Sequence, residues 1–523
     1  MSAPAAEEGP VLLHELVGTS EEVAGESGRR EKVRLLADLL GRVDPEEAPV
    51  AAAYLSGRLP QGKVGVGPAT LGSVLPTPPA PEPSLSLEEV DRILDEIAAI
   101  SGPGSVARRE EALGGLLSRA TSDEQAFLAR LLMGELRQGA QEGLVVEALA
   151  EASGASADGV RRAAMLEGDA IRVARPLLRE GPAALDRFRL QIFSPVQPML
   201  AQAAQGVADA LGRLGRAAVE CKFDGARLQA HRSGGDVRIF TRRLNDVTDA
   251  LPEIVETVGA LPVREVILDG EALALRNDGR PRPFQTTMRR FGRKGDVEAL
   301  RRELPLTSFF FDCLHLDGES LLDRSLEDRF RALEEAVGPE ERVPRIVTAD
   351  PAEARAFLID ALRRGHEGVL VKDPTASYSA GRRGRAWLKV KPTHTADLVV
   401  LGAEWGHGRR KGWLSNLHLG ARDPESRGLA MVGKTFKGMT DEMLEWQTER
   451  LLELERERRG NAVLVRPELV AEVAFDGVQR SPTYESGLAL RFARVKGYRP
   501  DKGPEDADSL ERLREIREGR FEI

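Results

Sequence analysis

The sequence predicts a protein of three parts: an all-helical region, an α+β region built on antiparallel sheet, and a small β-barrel. A chain of 523 residues exceeds what one hydrophobic core usually organises. Near residue 215 the spacing of apolar residues changes from the period of helices to the period of strands. From about residue 395, five short strand-like runs follow with one helix among them. We place the three domains at 1–195, 196–394 and 395–523.

The composition is that of a folded globular protein. Apolar residues make up 41% of the chain and charged residues 30%. No window holds eighteen consecutive apolar residues, and the opening MSAPAAEEGP lacks the basic and apolar parts of a signal peptide. We therefore expect a cytoplasmic protein that does not bind a membrane. We also expect a monomer, and the sequence identifies no protein partner.

Charge and cysteine content exclude several classes of protein. The net charge of −9 argues against a wholly basic nucleic-acid binder but leaves local basic patches open. Only Cys221 and Cys313 occur, so neither a disulfide framework nor a four-cysteine zinc site can form within one chain.

The first 195 residues carry the signals of helices. Ser86 with Glu89 predicts a capped helix, and Ser122 with Gln125 predicts the start of another. The proline-rich segment 76–83 interrupts the helical pattern and predicts an extended loop. Taken alone, the pattern is that of a packed bundle with no site of its own.

The middle region carries the signals of strands. Runs such as AAVEC, EVILDG and EGVLVKD are rich in Val and Ile and are bounded by Gly, Asp or Pro. The pair Gly234-Gly235 lies between two such runs and predicts a hairpin turn. Helices are predicted near 325–336 and 351–364, so this region is α+β around antiparallel sheet.

The last region predicts a Greek-key barrel. Its five strand-like runs are ADLVVLGAEW, LSNLHLGAR, LAMVGKTF, AVLVRP and LVAEVAF. A helix from Thr440 to about Arg458 lies between the third and fourth runs. This order is that of the OB-type barrel, a common platform for nucleic-acid strands.

Lys222, in the stretch ECKFDGARLQAH at 220–231, is the first candidate for chemistry. A lysine nucleophile must be neutral and held in place. Lys222 has the apolar neighbours Cys221 and Phe223, and the tight turn at Asp224-Gly225 follows it. On this short signal alone, a structural lysine at the end of a strand is the better explanation.

Several cations recur on strands after Lys222. Arg227 lies on the next strand, Arg242 lies across the predicted hairpin, and Lys389 and Lys391 alternate on one face of AWLKVK. Cations that converge need an anion, and a ligand with phosphate groups would supply one. Independent solvated charges are the alternative.

Two carboxylates stand at strand ends, Glu271 in ILDGE and Glu367 in HEGVLVKD. Beside phosphate-binding cations, such hard oxygen ligands suit a Mg²⁺ ion that bridges phosphate oxygens. For each carboxylate taken alone, a surface ion pair is the better explanation. LDGE occurs a second time, ending at Glu319, and spacing does not choose between the two copies.

Three phenylalanines precede Asp312. In a strand, Phe309 and Phe311 share one face and Phe310 faces the other way. One face could therefore serve the core while the other stacks on a purine, although core packing of all three rings is the default explanation.

Seven motifs occur in an order that resembles the nucleotidyltransferase motifs of ATP-dependent DNA ligases. They are KFDGAR at 222–227, FTRR at 240–243, LDGE at 268–271, FFFD at 309–312, EGVLVK at 367–372, WLKVK at 387–391 and RPDK at 499–502. The chain is most similar to bacterial and archaeal members that resemble eukaryotic DNA ligase I. Residues 128–150 also resemble the helical DNA-binding domain of that family, and 194–201 its entry into the catalytic domain.

The resemblance implies a fold class and a function. The fold is multi-domain: an all-α DNA-binding domain, an α+β nucleotidyltransferase domain of the ATP-grasp-like adenylation type, and a C-terminal OB-fold β-barrel. The implied enzyme uses ATP and Mg²⁺ to seal nicks in double-stranded DNA. Lys222 would become adenylylated, AMP would pass to the 5′-phosphate of the nick, and the 3′-hydroxyl would then displace AMP.

The resemblance also assigns roles to the residues around ATP. Glu220 would read the edge of adenine and Phe311 would stack on it. Arg227 and Arg242 would contact the ribose and phosphate region, and Glu271 would contact the ribose. Arg383, Lys389 and Lys391 would hold phosphate, Lys372 would lie near the nucleotide, and Glu271 and Glu367 would bind the metal. The order of the motifs selects Glu271 over Glu319, because the phenylalanine motif follows the first LDGE.

Three other functions compete. An RNA-capping guanylyltransferase shares a lysine motif of this type and the barrel, but it leaves the helical region unexplained. An NAD-dependent ligase would carry a cysteine zinc site, for which this chain has too few cysteines. A non-catalytic DNA-end binder would require a lost site, and the motifs are intact.

Overall fold

The computed structural model describes residues 11–136, 138–139, 142–291, 297–380 and 384–518. Arg383, one of the predicted phosphate ligands, lies outside the described residues. Within these ranges, no helix combines the length and the apolar character needed to cross a membrane.

The N-terminal region is helical. Its helices are α1 (Leu13–Gly25), α2 (Arg29–Leu40), α3 (Ala48–Leu55), α4 (Pro68–Val74), α5 (Leu87–Ala99), α6 (Ser105–Leu117), α7 (Ser122–Leu132), α8 (Glu142–Ser153), α9 (Ala157–Glu167) and α10 (Ala170–Glu180). Their apolar faces share one core, which includes Leu36, Leu94 and Phe127. This packing supplies most of the stability of such helices, since short helices are marginal in isolation.

The predicted helix caps are partly correct. The Ser86 hydroxyl accepts a hydrogen bond from the Glu89 N–H at 3.2 Å, which confirms the predicted start of α5. The start of α7 was predicted one residue too late, because Thr121 rather than Ser122 is the N-cap. Thr121 has extended backbone and forms a capping box with Glu124, whose carboxylate accepts from the Thr121 N–H at 2.8 Å.

The middle region combines strands with short helices. Its strands are β1 (Gln202–Ala203), β2 (Ala217–Lys222), β3 (Ala226–Ser233), β4 (Asp236–Thr241), β5 (Glu265–Ala274), β6 (Leu306–Leu316), β7 (Glu319–Ser320), β8 (Arg345–Thr348), β9 (Gly368–Lys372) and β10 (Trp387–Val390). Its helices are α11 (Val207–Leu214), α12 (Pro252–Gly259), α13 (Phe284–Met288), α14 (Val297–Glu303), α15 (Leu326–Ala336) and α16 (Pro351–Arg363).

Two sheets organise these strands. One has the order β1, β10, β9, β2, β8, with β1 parallel to β10 and the other pairs antiparallel. The other has the order β4, β3, β5, β6, β7 and is antiparallel throughout. The predicted hairpin between β3 and β4 is confirmed, with Gly234 at a φ of 58°.

The phenylalanine run divides between two cores, as predicted. Phe311 is buried in the core that contains Val219 and Trp387, and Phe309 packs against that core. Phe310 is buried on the other side of the second sheet, beside Leu268. The alternation of a strand therefore directs two rings toward the space between the sheets.

The C-terminal region is an antiparallel sheet with two helices. Its strands are β11 (His394–Trp405), β12 (Leu414–Asp423), β13 (Gly428–Thr435), β14 (Glu455–Arg459), β15 (Ala462–Val465), β16 (Val470–Phe475), β17 (Gly477–Arg480), β18 (Leu488–Arg491) and β19 (Arg494–Tyr498), and its helices are α17 (Asp441–Glu453) and α18 (Leu510–Arg517). The long strand β11 pairs with β12, β15 and β16, while β17 and β18 form a separate ribbon.

The helix predicted from Thr440 to about Arg458 ends earlier. Thr440 is its N-cap, but α17 stops at Glu453, and the segment 455–459 is instead the edge strand β14. The sequence ERERR has no apolar residue, so its spacing shows neither a helical nor a strand period. Charged side chains are typical of exposed edge strands, because they discourage pairing with other chains.

Candidate active site

Lys222 lies where the chain passes from one sheet to the other. It is the last residue of β2, and the turn at Asp224-Gly225 leads directly into β3. Gly225 is required at this turn, because a Cβ there would collide with the carbonyl oxygen of Ala272. The backbone N–H of Gly225 donates to Glu271 Oε1 at 2.8 Å. The motif KFDG thus folds into a fixed support for the Lys222 amine.

One carboxylate, Glu367, binds two amines. Lys222 Nζ forms an ion pair with Glu367 Oε2, and Lys391 Nζ forms one with Oε1. The Glu367 N–H donates to the Lys222 carbonyl oxygen at 2.9 Å, so backbone and side chain both connect these motifs. Burial favours a raised pKa for Glu367, but Lys222 and Lys391 together hold that pKa below its ordinary value. Glu367 is therefore a carboxylate that fixes the position of the Lys222 amine.

Glu271 faces the same amine. Burial raises the pKa of Glu271 to about 7, against the opposing effect of the positive charge on Lys222. Its backbone lies opposite Arg227 in the pairing of β3 with β5. The second LDGE lies elsewhere: Glu319 is exposed on β7 and pairs with Arg324 at 2.6 Å.

Arg227 is held by protein groups. Its guanidinium pairs with Asp269, with Nε 2.9 Å from Oδ1 and Nη2 2.5 Å from Oδ2, and Nη1 donates to the Met199 carbonyl at 2.7 Å. The Tyr378 hydroxyl donates to Asp269 at 2.8 Å and accepts from the Met199 N–H at 3.0 Å. Arg227 is therefore not an independent solvated charge, because this network links it to the segment 194–201.

A second pair of charges lies deeper between the sheets. Lys372 is fully buried and forms an ion pair with Glu220, which is 1% exposed. Lys372 Nζ lies 4.6 Å from the ring centroid of Phe311 and 4.2 Å from that of Trp387. Both rings present their faces to the ammonium group, which is a favourable cation–π geometry. Lys372, predicted to lie near the nucleotide, thus contacts both residues predicted to bind adenine, Glu220 and Phe311.

The other two predicted site residues that the structure describes are Arg242 and Lys389. Arg242 is exposed in the turn after β4, next to Thr241, whose backbone pairs with Leu228. Lys389 lies in β10, half-buried, and its carbonyl accepts from the Ala204 N–H at 3.0 Å. The structure therefore gathers Lys222, Lys391, Glu271 and Glu367 around one point, but it does not place Arg242 within that group.

The C-terminal region reaches this site through a residue that sequence reasoning missed. Arg491, at the end of β18, pairs with Asp224 at 2.7 Å from Nη1 to Oδ2. Phe492, which follows it, is 57% exposed and has a φ of 55°. Both residues lie in LRFAR at 490–494, which precedes RPDK at 499–502. The RPDK residues Arg499 and Lys502 instead pair with Asp397 of β11.

An amine held by a carboxylate at the junction of two sheets, near a buried lysine that contacts two aromatic rings, is the arrangement expected of a covalent nucleotidyltransferase. Family models match three segments: the DNA ligase N terminus at 74–150, the ATP dependent DNA ligase domain at 198–391 and the ATP dependent DNA ligase C terminal region at 410–502. The chain belongs to the ATP-dependent DNA ligase family and is an enzyme of that family.

Relatives match over nearly the whole chain. A probable DNA ligase of Anaeromyxobacter dehalogenans (strain 2CP-C) is 59% identical over 509 residues, which cover 96% of this chain and 99% of the relative. One of Sorangium cellulosum (strain So ce56) is 54% identical over 510 residues, covering 97% and 96%. The solved structure called Pmar-Lig_Pre is 18% identical, covers 93% of this chain and 99% of its own, and has a TM-score of 0.63. That structure shares the overall fold.

Proposed function

We propose that this ligase seals nicks in duplex DNA through an AMP group carried on Lys222. The observation that supports this most directly is the placement of the Lys222 amine, which Glu367 holds at the junction of the two sheets. Glu220 and Phe311, which both contact Lys372, would form the base-recognition side of the site, and Lys391, which pairs with Glu367, would lie on its phosphate side. No other lysine among the described residues combines these neighbours with the KFDG turn.

The proposed reaction has three steps, in which an adenylyl group is transferred twice and the 5′-phosphoryl group of the nick is transferred once. The neutral amine of Lys222 attacks the α-phosphorus of ATP, the bond to the β-phosphate oxygen breaks, and pyrophosphate leaves. An oxygen of the 5′-phosphate at the nick then attacks the lysyl-bound AMP, and the N–P bond breaks. Finally the 3′-hydroxyl attacks the 5′-phosphorus, loses its proton, and AMP leaves. The Lys222 amine loses a proton when it bonds to phosphorus and takes one up again when it leaves, so the three leaving groups are pyrophosphate, the protonated amine and AMP.

Glu271 and Glu367 fit a Mg²⁺ ion that also binds phosphate oxygens. Mg²⁺ usually takes one or two protein carboxylates and completes its shell with substrate phosphates and water. Both carboxyl groups face Lys222, and the described residues contain no cluster of three or more acidic, histidine or cysteine side chains suited to a metal. When bound there, the ion would offset negative charge on the phosphates.

The Mg²⁺ requirement is expected to depend on pH. Since the pKa of Glu271 is raised to about 7, this carboxyl is mostly protonated at pH 6 and ionised at pH 8. Only the ionised form binds a cation, so the Mg²⁺ concentration that gives half-maximal adenylylation should fall as pH rises across this range. This Mg²⁺ concentration is measured at each pH by single-turnover labelling of the protein at a fixed ATP concentration.

Two variants control this experiment. Glu271→Gln should remove the pH dependence of the Mg²⁺ requirement, because the amide does not titrate. Glu319→Gln changes the exposed glutamate of the second LDGE and should behave as the wild type does. An unchanged pH dependence in Glu271→Gln would contradict the assignment of Glu271.

We further propose that the C-terminal region is an OB-type barrel and that the domains divide at 1–195, 196–394 and 395–523. The pairing of β11 with strands on both sides, β12 and β15, and with β16 supports a curved sheet that closes on itself. Contacts to phosphates from three such domains would position a nicked duplex without reading its sequence. We retain the expectation of a cytoplasmic monomer.

A sealing assay tests the proposal. A duplex with one nick that carries a 5′-phosphate should be joined with ATP, and it should not be joined with NAD or GTP in its place. The same duplex with a 5′-hydroxyl should not be joined, because no oxygen of a phosphate is present to receive AMP. Failure with ATP, or equal joining of the 5′-hydroxyl nick, would contradict the proposed reaction.

A further inference from the structure

The two carboxylate oxygens of Glu220 differ in their contacts. Oε2 forms the ion pair with Lys372. Oε1 is buried, and it makes no hydrogen bond within the part of the chain that the structure describes. A buried acceptor without a hydrogen bond is costly, and ligands commonly satisfy such atoms at binding sites. Oε1 is therefore the atom of Glu220 through which a donor on the base would bind.

Arg345 faces this oxygen from the neighbouring strand. The backbones of Glu220 and Arg345 lie opposite each other in the pairing of β2 with β8, and Arg345 Nη1 is 3.9 Å from Glu220 Oε1. Arg345 Nη2 is 2.7 Å from Glu334 Oε1, and its guanidinium lies 3.6 Å from the ring centroid of Phe330. The side chain is only 14% exposed. A planar guanidinium stacked on a ring and paired at its outer edge has little freedom.

We propose that Arg345 is a positioning residue for base recognition: it keeps Glu220 ionised and leaves Oε1 directed at the 6-amino group of the purine. This rests on the proposed function, in which Glu220 reads the edge of adenine. An ionised carboxylate only accepts hydrogen bonds, so it attracts a 6-amino group and repels a 6-oxo group. A protonated carboxyl can donate to a 6-oxo group. The charge of Glu220 therefore sets the preference between the two kinds of purine.

The surroundings of Glu220 make its charge depend on its cations. Burial raises the pKa of Glu220, Lys372 and Arg345 oppose this rise, and Asp312 on β6 adds to it. The charge of Asp312 is itself paired with that of Arg329. Removing Arg345 takes away one of the two cations that oppose the effect of burial, and so raises the pKa of Glu220 further. In such a variant Glu220 becomes protonated as pH falls. The preference for a 6-amino purine over a 6-oxo purine is therefore lost first at low pH.

The experiment compares ATP with inosine triphosphate, which has a 6-oxo group and no 2-amino group. Single-turnover rates of Lys222 adenylylation are measured with each nucleotide from pH 6 to 8.5. The wild type should keep a constant ratio of ATP to inosine triphosphate rates. In Arg345→Met, the ratio should fall roughly tenfold at pH 6 and recover as pH rises, because Glu220 is then more easily protonated. Arg345→Lys, which keeps the positive charge, should restore most of the ratio.

Arg342→Met is the matched control, because Arg342 also pairs with Glu334, at 3.3 Å, on the same segment. It should retain the wild-type ratio. If Arg345→Met slows both nucleotides equally at every pH, Arg345 is merely structural and the proposal is overturned. Should Arg345→Met fail to fold, Arg345→Gln removes the charge with a polar side chain and carries the same expectation.

One further variant separates this proposal from the proposed function. Glu220→Gln should lower the ratio at all pH values without a pH dependence, because an amide cannot titrate. A wild-type ratio in Glu220→Gln would show that Glu220 does not read the base, which overturns both proposals. A pH-dependent loss in Arg345→Met together with a pH-independent loss in Glu220→Gln supports both.

Discussion

Replacing Lys222 with alanine is expected to abolish labelling of the protein by ATP that carries a radiolabelled α-phosphate. The amine of Lys222 is the atom that would form the bond to phosphorus, and the ion pair with Glu367 places it at the junction of the two sheets. Loss of a nucleophile commonly costs more than about a thousandfold in rate. Labelled protein, separated on a denaturing gel after acid quenching, measures the result.

Two controls distinguish lost chemistry from lost structure. Lys496→Ala changes an exposed lysine of β19 and should label as the wild type does. Lys222→Ala should still seal a nick whose 5′-phosphate already carries AMP, because that last transfer does not use the lysine. Undiminished labelling of Lys222→Ala would refute the assignment of Lys222.

Replacing Arg329 with methionine is expected to destabilise the catalytic region by about 3–5 kcal/mol. Arg329 and Asp312 are a fully buried ion pair, with Nε 2.7 Å from Oδ1 and Nη2 3.1 Å from Oδ2. Arg329 Nη1 also donates to the carbonyl oxygens of Arg324 and Ala376. Methionine fills the space but leaves the Asp312 carboxylate buried without its partner. Urea unfolding of the full chain measures the loss.

Arg331 provides the matched control for this prediction. It lies two residues further along α15, is 75% exposed, and pairs with Asp328 on the surface. Arg331→Met should change the free energy of unfolding by no more than about 0.5 kcal/mol. Adding Asp312→Leu to Arg329→Met should regain part of the loss, because no buried charge then remains. Equal urea midpoints for Arg329→Met and Arg331→Met would contradict the prediction.

The buried ion pair between Arg329 and Asp312 also explains why the motif FFFD ends in an aspartate. Asp312 follows Phe311 directly, so the ion pair with Arg329 fixes the strand from which Phe311 reaches Lys372. Sequence reasoning noted Asp312 only as the end of a motif. No spacing rule connects positions 312 and 329, because they are joined across the packing of α15 on β6.

Local patterns predicted the local structure well. The hairpin at Gly234-Gly235, the cap at Ser86 and the alternation within the phenylalanine run all depend on residues near one another in the chain, and all are confirmed. The predicted end of α17 was wrong, because the segment 455–459 has no apolar residue whose spacing could indicate its structure. Its conformation is set by pairing with β15, a contact that composition alone does not show.

The order of the motifs identified the family and proposed the nucleophile, because covalent chemistry needs particular side chains in particular places. It chose Glu271 over Glu319, and the structure places Glu271 beside the KFDG turn and Glu319 on the surface. It did not show that Arg491 of the C-terminal region contacts Asp224. That contact joins residues 267 positions apart in sequence.

The sequence by itself determined the three kinds of region, the family, and the candidate residues near Lys222, since each depends on residue type and on short-range order. Only the tertiary structure decided which charges meet: Lys222 and Lys391 on Glu367, Lys372 and Arg345 on Glu220. The physical reason is that an ion pair between strands depends on the register and the packing of two sheets. These are set by the folded chain as a whole and not by any segment of it.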